Sequence, residues 1–168
     1  MCSSDLENGS GKSTFFKLLT NDVTEIGRIS DDAVVQINGN VIFLNDETCL
    51  PPNLKEEDIA KYIFHINDIS LKEKYVPIHS NRKIASYSNG ERKLAVLRIL
   101  SHLEFDILLA DEYIVNIDEF NIEEVMNLLE KMSERGALII ISSNEVDIKN
   151  KFLNKITISN KKFQVYVQ

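Results

Sequence analysis

The chain has 168 residues, 43% hydrophobic and 27% charged, with a net charge of −7. That length suits one domain with a real core, and the acidic balance weighs against non-specific nucleic-acid binding. No apolar run approaches the roughly 20 residues of a membrane span, and Cys2 and Cys49 form neither a metal spacing nor a disulfide framework, so a reducing cytoplasm is expected.

Met1–Leu6 lacks the basic start and apolar core of a secretory signal. Its codons can be written GTG TGC TCT TCC GAT CT plus any base, a string that looks like the end of a common sequencing adapter. These residues are therefore expected to be non-native, with the native chain continuing upstream of Glu7. Glu7–Thr14 reads Glu-Asn-Gly-Ser-Gly-Lys-Ser-Thr, the second half of a phosphate-binding loop, G-x-x-x-x-G-K-[ST]. Gly9 and Gly11 lack Cβ, so the backbone N–H groups of the Asn8-Gly9-Ser10-Gly11 turn can approach a polyphosphate. Lys12 supplies a point charge for the β- and γ-phosphates. The Ser13 hydroxyl is placed to ligate Mg²⁺, with Thr14 beside it. The helix starting at Lys12 aims its positive end at the same anion. Leu6 stands where the pattern has its first glycine, and glycine is expected there in the native protein.

Lys12–Asn21 reads as a helix with Phe15, Phe16, Leu18 and Leu19 on its apolar face. Asp22–Asp32 is loop-like. Ala33–Ile37 and Val41–Leu44 are short β-type runs on either side of Asn38-Gly39, a hairpin signal. Asn45–Asn53 is a loop, Glu56–Asn67 has helical spacing, and Asp68–Arg82 is mixed, with one short helix ending near Pro77. An amphipathic helix follows over about Glu91–Leu103. Phe105–Ala110 is an unbroken apolar run that suits a strand buried on both faces, and it ends in Asp111-Glu112. Glu119–Arg135 is a helix stopped by Gly136. Ala137–Ile141 is a second buried strand. Asn144–Phe152 is a short polar turn or helix, and Lys155–Ser159 with Phe163–Val167 forms a terminal hairpin around Asn160-Lys161. Strands alternating with helices, with polar motifs at strand ends, predict a parallel α/β sheet with its ligand at the carboxyl edge.

Four segments, in this order, resemble ATP-binding-cassette (ABC) ATPases. Glu7–Thr14 looks like their Walker A loop, and Tyr87-Ser88-Asn89-Gly90-Glu91 like their signature. Ile107–Glu112 looks like the Walker B strand with its catalytic glutamate, and Val115-Asn116-Ile117-Asp118 stands where the family has its D-loop. A serine N-cap with a turn glycine would explain Ser88 and Gly90 alone, but not their place just before a buried strand ending in Asp-Glu. The resemblance covers Glu7 to the C-terminus. It implies a P-loop NTPase fold of the ABC nucleotide-binding type across residues 7–168: a mostly parallel sheet, a small helical subdomain at about 55–103, and N-terminal strands missing. It also implies ATP and Mg²⁺ as cofactors. Asp111 would hold the metal directly or through water, and Glu112 would polarise the attacking water. The signature residues Ser88, Asn89, Gly90 and Glu91, with Asp118, would close on ATP held by a second cassette, in a homodimer or heterodimer.

Three departures bear on turnover. The family's Q-loop glutamine falls at Asp46, with Glu47 as a register alternative; an anionic Asp46 could ligate Mg²⁺ but is shorter. The switch histidine is Asn144, which can hydrogen-bond a γ-phosphate but cannot relay a proton. His65, His79 and His102 read as surface or helix residues. The upstream region that stacks an aromatic on adenine is absent from the sequence, with the strand that feeds the Walker A loop. A slow ATPase or a regulatory ATP-binding half is expected. The stretch from Lys12 to Ser88 looks short for the family, leaving only about Lys55–Ile84 for helical structure, which resembles bacterial exporters. The expected partners are separate transmembrane permease subunits, placing the protein on the inner face of the cell membrane; a soluble, non-transport ATPase is the alternative.

Overall fold

The computed structural model describes residues 12–20, 39–70, 75–115, 117–142, 154–159 and 162–167. Three apolar runs form one parallel sheet: β1 (Val41–Leu44), β2 (Ile107–Asp111) and β3 (Leu138–Ser142), in the order β1-β2-β3. Leu44 stands opposite Ala110, Ala110 opposite Ile141, and Asp111 opposite Ser142. β2 has a strand on each side, and its Leu108, Leu109 and Ala110 are buried, as an unbroken apolar run requires. The α/β fold with a parallel sheet therefore forms as expected.

β1 takes β2 as its parallel partner. The Ala33–Ile37 run of the expected hairpin lies outside the described residues. Gly39 serves a close approach instead. At φ +122°, it brings the entry to β1 so near Asp106 that a Cβ would stand 2.5 Å from the Asp106 carboxylate. Asn40 then donates its N–H to Asp106 Oδ2 at 2.7 Å and accepts from the N–H groups of Asp106 and Ile107.

Helix α1 (Lys12–Leu19) starts at Lys12, as expected, and packs against β2, with Phe16 buried beside Phe43. Helix α2 (Glu56–Ile66) has Glu56, Glu57 and Asp58 in its first turn, where acidic groups suit the positive end. Tyr75–Pro77, where a short helix was expected to end, is irregular, and one turn of 3-10 helix covers Ile84–Ser86. Helix α3 (Asn89–Leu100) begins two residues earlier than its apolar pattern because Ser88 caps it. It buries Leu94, Ala95, Val96, Leu97, Ile99 and, among them, Lys93. Helix α4 (Glu119–Glu134) packs on α3 and β3 and stops at Gly136, whose φ of +99° lets its N–H reach Ser133 O. Strands β4 (Asn154–Ser159) and β5 (Lys162–Val167) form the expected antiparallel hairpin. Asp22–Asp32 and Asn144–Phe152 lie outside the described residues.

Candidate functional site

Parallel strands deliver their carboxyl ends to one edge, so β1, β2 and β3 end side by side there. Asp111 ends β2 level with Ser142 at the end of β3. The Ser142 hydroxyl donates to Asp111 Oδ1 at 2.5 Å, and its oxygen accepts the Glu112 N–H at 2.9 Å. The same N–H lies 3.2 Å from Ser142 O. Glu112 has φ +51°, a left-handed conformation that costs a residue with a Cβ about 1–3 kcal/mol. Ser142 on one side and the turn closed by Val115 N–H to Glu112 O at 3.3 Å on the other hold it there. Ser142 was missed in the sequence; its signal was the register, since a parallel β2–β3 pair puts the residue ending one run beside the residue ending the other.

Lys12 opens α1 against the same strand. The loop Asn8-Gly9-Ser10-Gly11, the side chains of Lys12, Ser13 and Thr14, and the expected switch residue Asn144 lie outside the described residues.

The signature segment forms a capping box. Ser88 Oγ accepts the Glu91 N–H at 3.1 Å, and Glu91 Oε2 accepts the Ser88 N–H at 2.7 Å. Glu91 Oε1 also lies 2.7 Å from His79 Nε2. His79, then the Ser88 N–H, holds the Glu91 carboxyl below its ordinary range. Ser88 and Asn89 are exposed at the start of α3, while Gly90 is buried. A Cβ on Gly90 would stand 3.3 Å from Asp118 Oδ2. Asp118 in turn caps α4, accepting from Asn121 N at 3.0 Å and from Asn121 Nδ2 at 2.7 Å. The signature and D-loop segments thus touch within one chain.

Glu56, wholly buried, braces the signature from behind. It accepts from Tyr75 OH at 2.5 Å, Tyr87 OH at 2.9 Å and the Ile78 N–H at 3.0 Å. Burial, then the hydrogen bond to Glu56, pushes the Tyr75 hydroxyl far up and that of Tyr87 up to about 12, so both remain donors. Tyr87 adjoins Ser88, so the hub fixes the approach to the signature.

Asp46 leaves the sheet edge two residues after β1, and its Oδ1 accepts from Lys93 Nζ at 2.7 Å. Lys93 Nζ also lies 3.3 Å from Val115 O and 5.5 Å from the centre of the Tyr113 ring. The alternative residue Glu47 is exposed. Among the described residues, no group of three or more His, Cys, Asp or Glu gathers to hold a metal. The Asp111 carboxylate, at the end of the strand that α1 packs against and buttressed by Ser142 of β3, is a hard oxygen donor of the kind Mg²⁺ takes. No described helix is long and apolar enough to cross a membrane.

Known proteins resemble this chain in sequence and in fold. A protein provisionally named an ABC transporter ATP-binding protein, from Caldanaerobacter subterraneus, is 25% identical over 94% of this chain and 75% of its own length. The energy-coupling factor transporter ATP-binding protein EcfA2 of Methanospirillum hungatei is 27% identical over 82% of this chain, which spans 34% of that relative. Among solved structures, a chain from an inward-facing transporter assigned to the metal-chelate ABC type superposes with a TM-score of 0.69. The match covers 96% of this chain and 69% of that one, and at 17% identity it speaks for the fold alone. The profile of the ABC transporter family matches residues 7–115, a stretch that includes the phosphate loop, the signature and Asp111-Glu112. More than half of the chain is thus matched, and it belongs to the ABC transporter family.

Proposed function

We propose that this chain binds and hydrolyses ATP as the cassette subunit of an ABC transporter and drives a separate permease by closing head-to-tail on a second cassette. The observation that carries the reading is the held pair Asp111-Glu112, fixed by Ser142 at the carboxyl end of β2, the strand that α1 packs against. Asn8, Gly9, Ser10, Gly11, Lys12 and Thr14 would hold the phosphates, and Ser13 and Asp111 the Mg²⁺. When bound, Mg²⁺-ATP supplies the phosphoryl group to be transferred. Glu112 accepts a proton from the attacking water, and its left-handed backbone fixes where that carboxylate starts. Asn144 donates to a γ-phosphate oxygen without relaying a proton. Ser88, Asn89, Gly90, Glu91 and Asp118 face the partner cassette's nucleotide from the start of α3 and the adjoining cap of α4. Export is the direction favoured by the short Lys55–Ile84 stretch.

Glu112→Gln tests the catalytic part. ATP affinity should stay within a few-fold while turnover drops by about 10²–10⁴-fold. Unchanged turnover would sink the assignment of Glu112. Co-purification with a membrane protein of several spans from detergent extracts supports transport; recovery without one favours the non-transport cassette.

A further inference from the structure

Every other buried side chain on the inward face of α3 after Gly90 is aliphatic, yet Lys93 is there with only 6% of its side chain exposed. Burying an ammonium costs several kcal/mol unless it is paired, and an apolar side chain of similar volume would fill the space at less cost. Lys93 is offset by Asp46 Oδ1 at 2.7 Å, Val115 O at 3.3 Å and the face of Tyr113. Tyr113 is itself wholly buried, and its hydroxyl donates back to Lys93 O at 3.4 Å. Tyr113 and Val115 both belong to the turn that Glu112 opens, and Val115 N–H closes that turn on Glu112 O. One residue on the signature helix therefore grips the Glu112 turn at two points and the loop after β1 at a third.

We infer that Lys93 is a positioning residue for ATP hydrolysis: it ties the signature helix to Asp46 and to the turn carrying Glu112, so a displacement of α3 is passed to the reacting edge. The inference rests on the ATPase reading. It assigns the Asp46 carboxylate to Lys93 and not to the metal. The joint is built to transmit geometry, because Asp46 is 77% exposed and the pair as a whole adds little over an apolar side chain in place of Lys93.

Lys93→Met, Asp46→Asn and the double variant, made in the full chain, test this with two readouts. Without nucleotide, the amides of Thr48 and Val115, each closing a local turn, should exchange with deuterium about tenfold faster than in the wild type, while β2 amides change by less than about twofold. With Mg²⁺-ATP, kcat should fall by about tenfold while KM stays within about twofold, and the double variant should be no worse than either single one. The half-saturating Mg²⁺ concentration should not move. Asp46→Asn lies on the surface and gives both readouts even if Lys93→Met unfolds the core. Unchanged exchange, or unchanged kcat against a turning-over wild type, overturns the inference alone. A rise of about tenfold in half-saturating Mg²⁺ for Asp46→Asn but not Lys93→Met also overturns it, in favour of Asp46 as a metal ligand. Accelerated exchange with no turnover in the wild type supports the tie and overturns the ATPase reading.

Discussion

Glu56 lies wholly buried and accepts from two tyrosine hydroxyls and one backbone N–H; Lys93, almost as deeply buried, faces one carboxylate that is itself mostly in solvent. Glu56 opens α2 and Lys93 lies in α3, and both would be costly left alone. Their compensation differs in kind. Among the described residues, Glu56 meets neutral donors, two from the 75–78 segment and one from Tyr87, and all are themselves partly or fully buried. Its contacts are short-ranged and unscreened, so the hub is a fixed strut behind the signature. The partner of Lys93 is at the surface, where water and salt weaken the attraction. A joint of that kind adds little over an apolar side chain but keeps two loops in register with α3. The Glu56 hub should therefore be read in unfolding free energy, and the Lys93 joint in the behaviour of the reacting edge.

Removing Glu56 tests the contrast most severely. Glu56→Ala strips two buried phenols and an N–H of their acceptor and should destabilise the fold by about 3–5 kcal/mol in urea titrations. Glu56→Gln, which keeps an acceptor oxygen, should cost about half as much. Asp46→Asn comes next, at about 1–2 kcal/mol, because it leaves a buried ammonium with a weaker partner. Lys93→Met should cost under about 1 kcal/mol, since it removes the charge and keeps the packing. If Lys93→Met unfolded the chain as readily as Glu56→Ala, the distinction between strut and joint would be lost.

Smaller effects are read through pH. His79 and the Ser88 N–H depress the Glu91 carboxyl below its ordinary 4.5, so its contribution is complete above that value and is lost as pH falls through the depressed one. Thermal melts on the acid side should lose this component in Glu91→Gln. The smallest effect belongs to His102, whose ring packs edge-on to Phe64 and Tyr75. Burial first, then the charges of Arg135 and Lys131, lowers its pKa below 6.5, so the fold favours the neutral ring. Stability from this residue is complete above pH 6.5 and declines as pH falls below it. Melts of His102→Gln between pH 7 and 5 should be slightly flatter than those of the wild type.

Local pattern was enough to read α1 from Lys12, the buried run ending in Asp111-Glu112, the helix stop at Gly136 and the terminal hairpin. Each depends on neighbours a few residues apart: a periodicity, a turn residue, or polar groups ending an apolar run. The order of the phosphate loop, the signature and Asp111-Glu112 was legible for the same reason, and it carried the family. The contacts that hold those motifs were not. Glu56 meets partners 19, 22 and 31 residues away, and Lys93 meets Asp46 across 47. Ser142 reaches Asp111 and Glu112 only through strand register.

The order of amino acids alone pointed to the residues suited to phosphate, metal and base chemistry, because those roles depend on side-chain type at short spacing. What each residue leans on emerged only when the chain was folded. Asp46 read as a carboxylate able to ligate Mg²⁺, and only the fold set a lysine of α3 against it; Glu112 read as the residue that polarises water, and only the fold showed its backbone held left-handed beside Ser142. Burial turns such distant pairs into obligations, since a charge or N–H cut off from water must find its partner wherever the fold brings one.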